Sequence, residues 1–169
     1  QFGPMSLSNR IAMAPLTRNR SPKAVPKPIT ATYYAQRATA GLLITEATAI
    51  SHQGQGYSDV PGLYGDDQIE GWAKVTQAVH AKGGKIVCQL WHVGRVSHNL
   101  LQPDDMPPVA PSAIAAKTKT FLIDHATGEG RFVPTSEPRA LDVGAIPGIA
   151  HSFAGPPRNA DASTGLDGG

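Results

Sequence analysis

The sequence predicts an α/β fold with parallel strands, and three observations carry that prediction. Apolar runs at residues 10–14, 42–47 and 86–91 have the length and composition of buried strands. Helix-forming stretches separate them. Each run opens into a polar loop before its helix, the order required by parallel strands joined through right-handed crossovers.

The first run stops at Pro15, which cannot donate to a sheet ladder. Residues 18–29 are basic and proline-rich and read as a loop. Residues 30–40 read as a short helix with Gly41 as its stop. The second run is apolar almost without interruption, the pattern of a strand buried on both faces. Gly, Ser and Asp dominate residues 51–65, a second loop. The best-specified helix follows. Asp67 is its expected cap, with Glu70 three residues on. Ile69, Trp72, Ala73, Thr76, Val79 and the ring of His80 form its expected apolar stripe. Lys82 suits the last turn and Gly83 the stop. The third run ends at Trp91.

Beyond Trp91 the alternation breaks. Residues 93–140 predict no helix, but 120–123 and 131–133 can pair as a hairpin across Ala126-Thr127-Gly128-Glu129. A long excursion of this kind inside a domain usually serves function or is disordered. A helix begins plausibly at Asp142, but Gly155-Pro156-Pro157 lies inside it. Each interior proline costs about 3 kcal/mol, so the helix is expected to break there.

Composition narrows the function. The 169 residues suffice for one domain with a core. The net charge of +2 is small and the 15 Lys and Arg are dispersed, which argues against nucleic acid and against an anionic membrane surface. A single cysteine, Cys88, excludes an internal disulfide and fits a reducing, cytoplasmic setting. No apolar run reaches the length of a membrane span. His92 and His98 lie six apart on a loop, unlike a pair of metal ligands on one helix face, so no metal site is expected. The Gly54-Gln55-Gly56 fragment lacks the third glycine of a dinucleotide fingerprint and opens no helix.

The strand ends hold the candidate site. Along the third run Val87, Gln89 and Trp91 share one face, and Cys88 faces the other way as a small core residue. The C-terminal end of a parallel strand is where α/β folds bind ligands. A glutamine there offers a donor beside an acceptor and can read a ring edge that presents N–H beside C=O, as the flavin pyrimidine does. Taken alone, Gln89 also suits a solvated strand end. Thr17 ends the first strand and can donate its hydroxyl, and Ala47 at the end of the second lets a ligand approach the backbone. Tyr57 can line a pocket. Each of these has an ordinary loop explanation as well.

Together, NRIAMAPLTRNRS (9–21), LLITEATAIS (42–51), QGYSDVPGLY (55–64), VHAKGGKIVCQLWHVGRVSH (79–98), LQPDDMPPVAPSAI (101–114) and PTSEPRAL (134–141) resemble the Old Yellow Enzyme family of FMN-dependent ene-reductases. The likeness is to its N-ethylmaleimide reductase and 12-oxophytodienoate reductase branch, over about residues 7–141. It implies a partial TIM (β/α)8 barrel, about strands one to three with a long excursion, the C-terminal half being absent. It implies FMN at the rim and NADH or NADPH as electron donor. Carried over residue by residue, Pro15, Leu16, Thr17, Ala47 and Gln89 contact the flavin, while Tyr57 and Trp91 shape the pocket for an activated alkene.

The same resemblance sets the expected organisation. Residues 1–141 form the N-terminal part of the FMN-binding barrel. Residues 142–169 stand as a degraded or frameshift-like tail in place of the third barrel helix. The family's His-x-x-Asn/His-x-Tyr motif is expected beyond Gly169, so no catalytic acid is assigned. Three descriptions fit: a truncated reductase, a non-catalytic fragment lacking the proton donor and FMN phosphate site, and a half-barrel that needs a partner chain.

Overall fold

The structure, a computed structural model, describes residues 3–159 and 165–167. Its centre is a parallel three-stranded sheet of β1 (Ala12–Met13), β2 (Leu42–Ile44) and β4 (Ile86–Val87), in that order. Leu43 is in register with Met13 on one side and Ile86 on the other. The second and third strands then step and continue as a separate parallel pair. β3 (Thr48–Ala49) aligns Thr48 with Leu90 and Ala49 with Trp91 of β5 (Leu90–Trp91).

Two helices cover the outer face. α1 (Pro28–Ala35) starts on a proline, whose fixed φ suits the first turn. It ends six residues before the expected stop at Gly41. Residues 36–41 leave the helix through turns, because Gly41 passes against the Asn9 backbone where a Cβ would collide. α2 (Asp66–His80) begins one residue before the expected cap. Gly65 occupies the cap position, and Gln68 Oε1 accepts the N–H groups of Tyr64 (2.9 Å) and Gly65 (3.1 Å). Glu70 instead makes an exposed pair with Lys74 one turn on. Gly83, at φ +74°, ends the helix as expected, and Gly84 N–H reaches back to the Val79 carbonyl.

Tyr34, Leu43, Leu63, Trp72, Val75, Val79 and Ile86 form the core between helices and sheet. Trp72 is fully buried and its indole donates to the Gly62 carbonyl at 3.1 Å. The expected α2 stripe holds for Trp72, Thr76 and Val79, with Gln68, Gly71 and Val75 added. His80 departs from it: its ring is exposed and meets Asp167 at 2.8 Å. A histidine on the last turn gains more from a carboxylate there than from partial burial.

The excursion is ordered. β7 (Lys119–Ile123) and β8 (Gly130–Pro134) form the expected antiparallel hairpin. β6 (Val109–Ala110) pairs in parallel with β9 (Arg139–Ala140). α3 (Ile146–Asn159) corrects the expected break at Gly155-Pro156-Pro157, because the helix continues past both prolines. They fall in its last turn, so two i→i−4 hydrogen bonds are lost but no further turn lies beyond them to be broken. Pro147 falls in the first turn, where proline costs nothing.

Candidate functional site

Three consecutive strand ends meet on one rim. Backbone geometry, rather than side-chain packing, fixes their relative positions. Thr45 N–H donates to the Val87 carbonyl at 2.9 Å, and Thr48 N–H donates to the Gln89 carbonyl at 2.9 Å. Between them, Gln89 N–H donates to the Thr45 hydroxyl at 3.0 Å. These three bonds bracket the step at which β2 and β4 give way to β3 and β5, and they seat Ala47 beside Gln89. The first strand's loop is attached by a buried carboxylate: Glu46 Oε2 accepts the N–H of Arg18 at 3.0 Å. Thr17 is the residue immediately before Arg18.

Polar groups at this rim have no internal partner. Among the described residues Pro15, Leu16 and Thr17 make no hydrogen bond through backbone or side chain. The Gln89 carboxamide makes none, and its side chain is exposed. Ala47 is only 5 % exposed, yet its N–H and C=O are equally without a protein partner. Buried backbone groups are almost always paired. A free amide at a buried position, between an exposed hydroxyl and an exposed carboxamide, is the arrangement a planar heterocycle with alternating N–H and C=O groups can complete.

The aromatic residues assemble above the rim. Tyr57 and Trp91 lie with ring centroids 5.7 Å apart, tilted by 46°. Tyr57 and Thr17 line one open cavity of about 380 Å³ with Asn19, Phe121 and Phe132. The hairpin supplies both phenylalanines. It is held over the 55–58 loop by Thr120, whose hydroxyl bonds the Gly56 carbonyl, and by Ser58, whose N–H donates to the Phe121 carbonyl at 2.9 Å.

The structure places Thr17 with Tyr57 on one cavity, Tyr57 against Trp91, and Gln89 on the strand bonded to the Ala47 segment. It adds two residues that sequence reasoning passed over. Glu46 is 2 % exposed. Burial raises its carboxyl to about 7, against the opposing pull of the Arg18 N–H and guanidinium. Tyr34 is fully buried, accepts the Glu46 N–H at 2.6 Å, and is driven well above the ordinary phenol range by burial and then by the Glu46 charge. An acid inside an apolar strand run was the available signal for Glu46. Cys88 is half-buried against the core, with Sγ 3.6 Å from the Thr45 hydroxyl, and burial pushes its thiol up, away from nucleophilic use. Among the described residues no group of three or more His, Cys, Asp and Glu side chains could hold a metal ion. No helix there is long and apolar enough to cross a membrane.

Comparison with known proteins gives this geometry a context. A family model described as the NADH:flavin oxidoreductase / NADH oxidase family matches residues 1–153. The 12-oxophytodienoate reductase 2 of Arabidopsis thaliana is 42 % identical over 169 residues, covering 99 % of this chain and 44 % of its own length. The 12-oxophytodienoate reductase 7 of Oryza sativa subsp. japonica is 42 % identical over 165 residues, covering 96 % of this chain and 40 % of its own. Morphinone reductase, solved in complex with tetrahydroNAD, superposes with a TM-score of 0.94 at 50 % identity, over 99 % of this chain and 46 % of that one. The Old Yellow Enzyme homologue of Zymomonas mobilis gives 0.90 at 44 % identity, over 99 % and 45 %. The chain thus spans less than half the length of these relatives, and its fold is part of their β/α barrel. With matching sequence and fold, the chain belongs to the NADH:flavin oxidoreductase / NADH oxidase family, as a portion of an Old Yellow Enzyme-type barrel.

Proposed function

We propose that this chain supplies the flavin-facing rim of an FMN-dependent reductase that uses NADH or NADPH to reduce activated alkenes such as enones and maleimides. One observation carries the reading. On three neighbouring strand ends, Thr17, the Ala47 backbone and the Gln89 carboxamide are without partners among the described residues, while the groups immediately around them, the Gln89 backbone included, are bonded. That is a binding surface for an edge of alternating donors and acceptors.

Each residue has a role set by its chemistry. Gln89 reads the pyrimidine edge of the flavin with its carboxamide. Ala47 offers backbone N–H and C=O, and its small side chain lets the ring approach. Thr17 donates its hydroxyl to a ring carbonyl, and Pro15 and Leu16 pack against the ring beside it. When bound, FMN supplies hydride transfer from the reduced nicotinamide to the β-carbon of the alkene. Tyr57 and Trp91 bound the space above the ring, orient the alkene and exclude water from it. In this reading β1, β2 and β4 are the first three strands of the barrel.

A second reading is a half-barrel completed by another chain. An apolar groove of about 680 Å³ favours it, lined by Val109, Leu141, Val143, Ile146 and Phe153. Size-exclusion chromatography distinguishes the two, since a lone monomer that retains FMN leaves no need for a partner. The primary test is titration of the purified chain with FMN. Quenched flavin fluorescence and a shifted visible spectrum support the reading, and an unchanged free-flavin spectrum opposes it.

A further inference from the structure

Glu46 offers no group of its own to the flavin, yet it is a buried acid one residue before Ala47. Its carboxylate lies under the first strand's loop, and Oε2 accepts the Arg18 N–H at 3.0 Å. Its own N–H donates to the Tyr34 hydroxyl at 2.6 Å. Arg18 is held a second time, through Nη1 to the Tyr33 hydroxyl at 3.0 Å with the guanidinium 4.4 Å from the Tyr33 ring centroid. Beside this cluster is a cavity of about 410 Å³ that Glu46, Arg18, Arg20 and Tyr33 share with Thr30 and Gln36. The charged and titratable groups around Glu46 are therefore Arg18 and Arg20 from the loop and Tyr33 and Tyr34 from α1, with Cys88 of the β4–β5 junction acting on Tyr34.

We infer that Glu46 is a positioning residue that, through its bond to the Arg18 N–H, holds Thr17 at the height required to meet the flavin. This rests on the flavin reading above. The geometry explains why an acid occupies a buried site at all. Residues 15–17 have no hydrogen bonds of their own, so the Arg18–Glu46 contact is their nearest anchor to the second strand. A neutral aliphatic side chain would leave the Arg18 N–H without its partner on the second strand. Because burial brings the Glu46 carboxyl near neutrality, the anchor also acquires a pH dependence. The ionised form is the stronger acceptor and attracts the Arg18 guanidinium, so loop placement improves as pH rises through about 7.

The test compares the unsubstituted chain with Glu46→Gln and Glu46→Ala, titrated with FMN from pH 6 to 8 by flavin fluorescence. The second ionisation of the FMN phosphate, at about 6, affects all three alike, so variants are compared at each pH. Glu46→Gln keeps the acceptor and is expected to bind within about threefold of the unsubstituted chain at pH 8, without the added tightening through pH 7. Glu46→Ala is expected to bind on the order of tenfold more weakly throughout. The Arg18 amide resonance should move with a midpoint near 7 in the unsubstituted chain and hold still in Glu46→Gln. The Gln comparison carries the test even where the Ala variant fails to fold. One FMN affinity for all foldable variants, with an Arg18 amide that does not titrate, overturns the inference alone. Failure of the unsubstituted chain to bind FMN overturns the flavin reading and this inference together.

Discussion

The same parallel strands end in opposite ways. At the end where β4 begins, one carboxylate collects every donor in reach: Asp167 accepts from Ile86 N–H at 2.9 Å, from Lys85 at 3.0 Å, and meets His80 at 2.8 Å. At the other end Thr17, Ala47 and the Gln89 carboxamide accept and donate nothing among the described residues. Burial alone would raise the Asp167 carboxyl, but the Ile86, His80 and Lys85 contacts outweigh it and hold it below the ordinary value. Glu46, buried at the rim, is shifted the other way. One end uses its polar groups to close the fold, while the other leaves them available for a ligand and carries a desolvated acid beneath them. The difference is what separates stabilising residues from binding residues in a parallel β/α unit.

The frame common to both ends should fail first. Trp72→Ala removes a fully buried indole and its bond to Gly62, and should cost about 3–5 kcal/mol in urea unfolding. A loss below about 1 kcal/mol would mean that the core between α1, α2 and the sheet is not what supports the rim.

The acids sharpen the contrast through pH. Glu46 is raised from 4.5 to about 7 in the folded chain, so between those values the folded state holds a proton that the unfolded state has released. Stability from this group therefore falls as pH rises from about 4.5 to 7, by on the order of 3 kcal/mol. Glu46→Gln should flatten that slope in a series of urea midpoints. Asp167, shifted down, works with the opposite sign: its contribution is present above about 4 and is lost as pH falls further. Asp167→Ala should cost about 1–3 kcal/mol near neutrality, and the deficit should shrink in acid. Two slopes of the same sign would contradict the division between the ends.

Much of this was legible in the residues. The uninterrupted apolar run at 42–47 and the well-signalled stop at Gly83 located strands and helix, because burial and glycine chemistry are local. The hairpin at 119–134 followed from its turn. The misses were all tertiary. Gln68 captures the start of α2 because it can reach two N–H groups at once, a fact of geometry that no local pattern states. His80 leaves the apolar stripe for a carboxylate 87 residues away. The helix at α3 survives Pro156 and Pro157 because of where in its length they fall. At the rim, Gln89 and Thr17 were visible as polar residues at strand ends. Glu46 went unnoticed because its significance depends on the loop folded over it.

The smallest change should have the most specific effect. Gln89→Ala replaces an exposed side chain without a partner, so stability should move by less than about 0.5 kcal/mol, within the range of ordinary surface substitutions. FMN affinity should fall on the order of tenfold, as the loss of paired ring-edge hydrogen bonds implies.

The measurement closest to the central claim is therefore an FMN titration of the unsubstituted chain and of a Thr17→Ala, Gln89→Ala double variant, with melting temperatures recorded on the same samples. The account predicts saturable binding by the unsubstituted chain, at least tenfold weaker binding by the double variant, and melting temperatures that agree within about 2 °C. Equal binding by both proteins, or none by the unsubstituted chain with its fold intact, would contradict it.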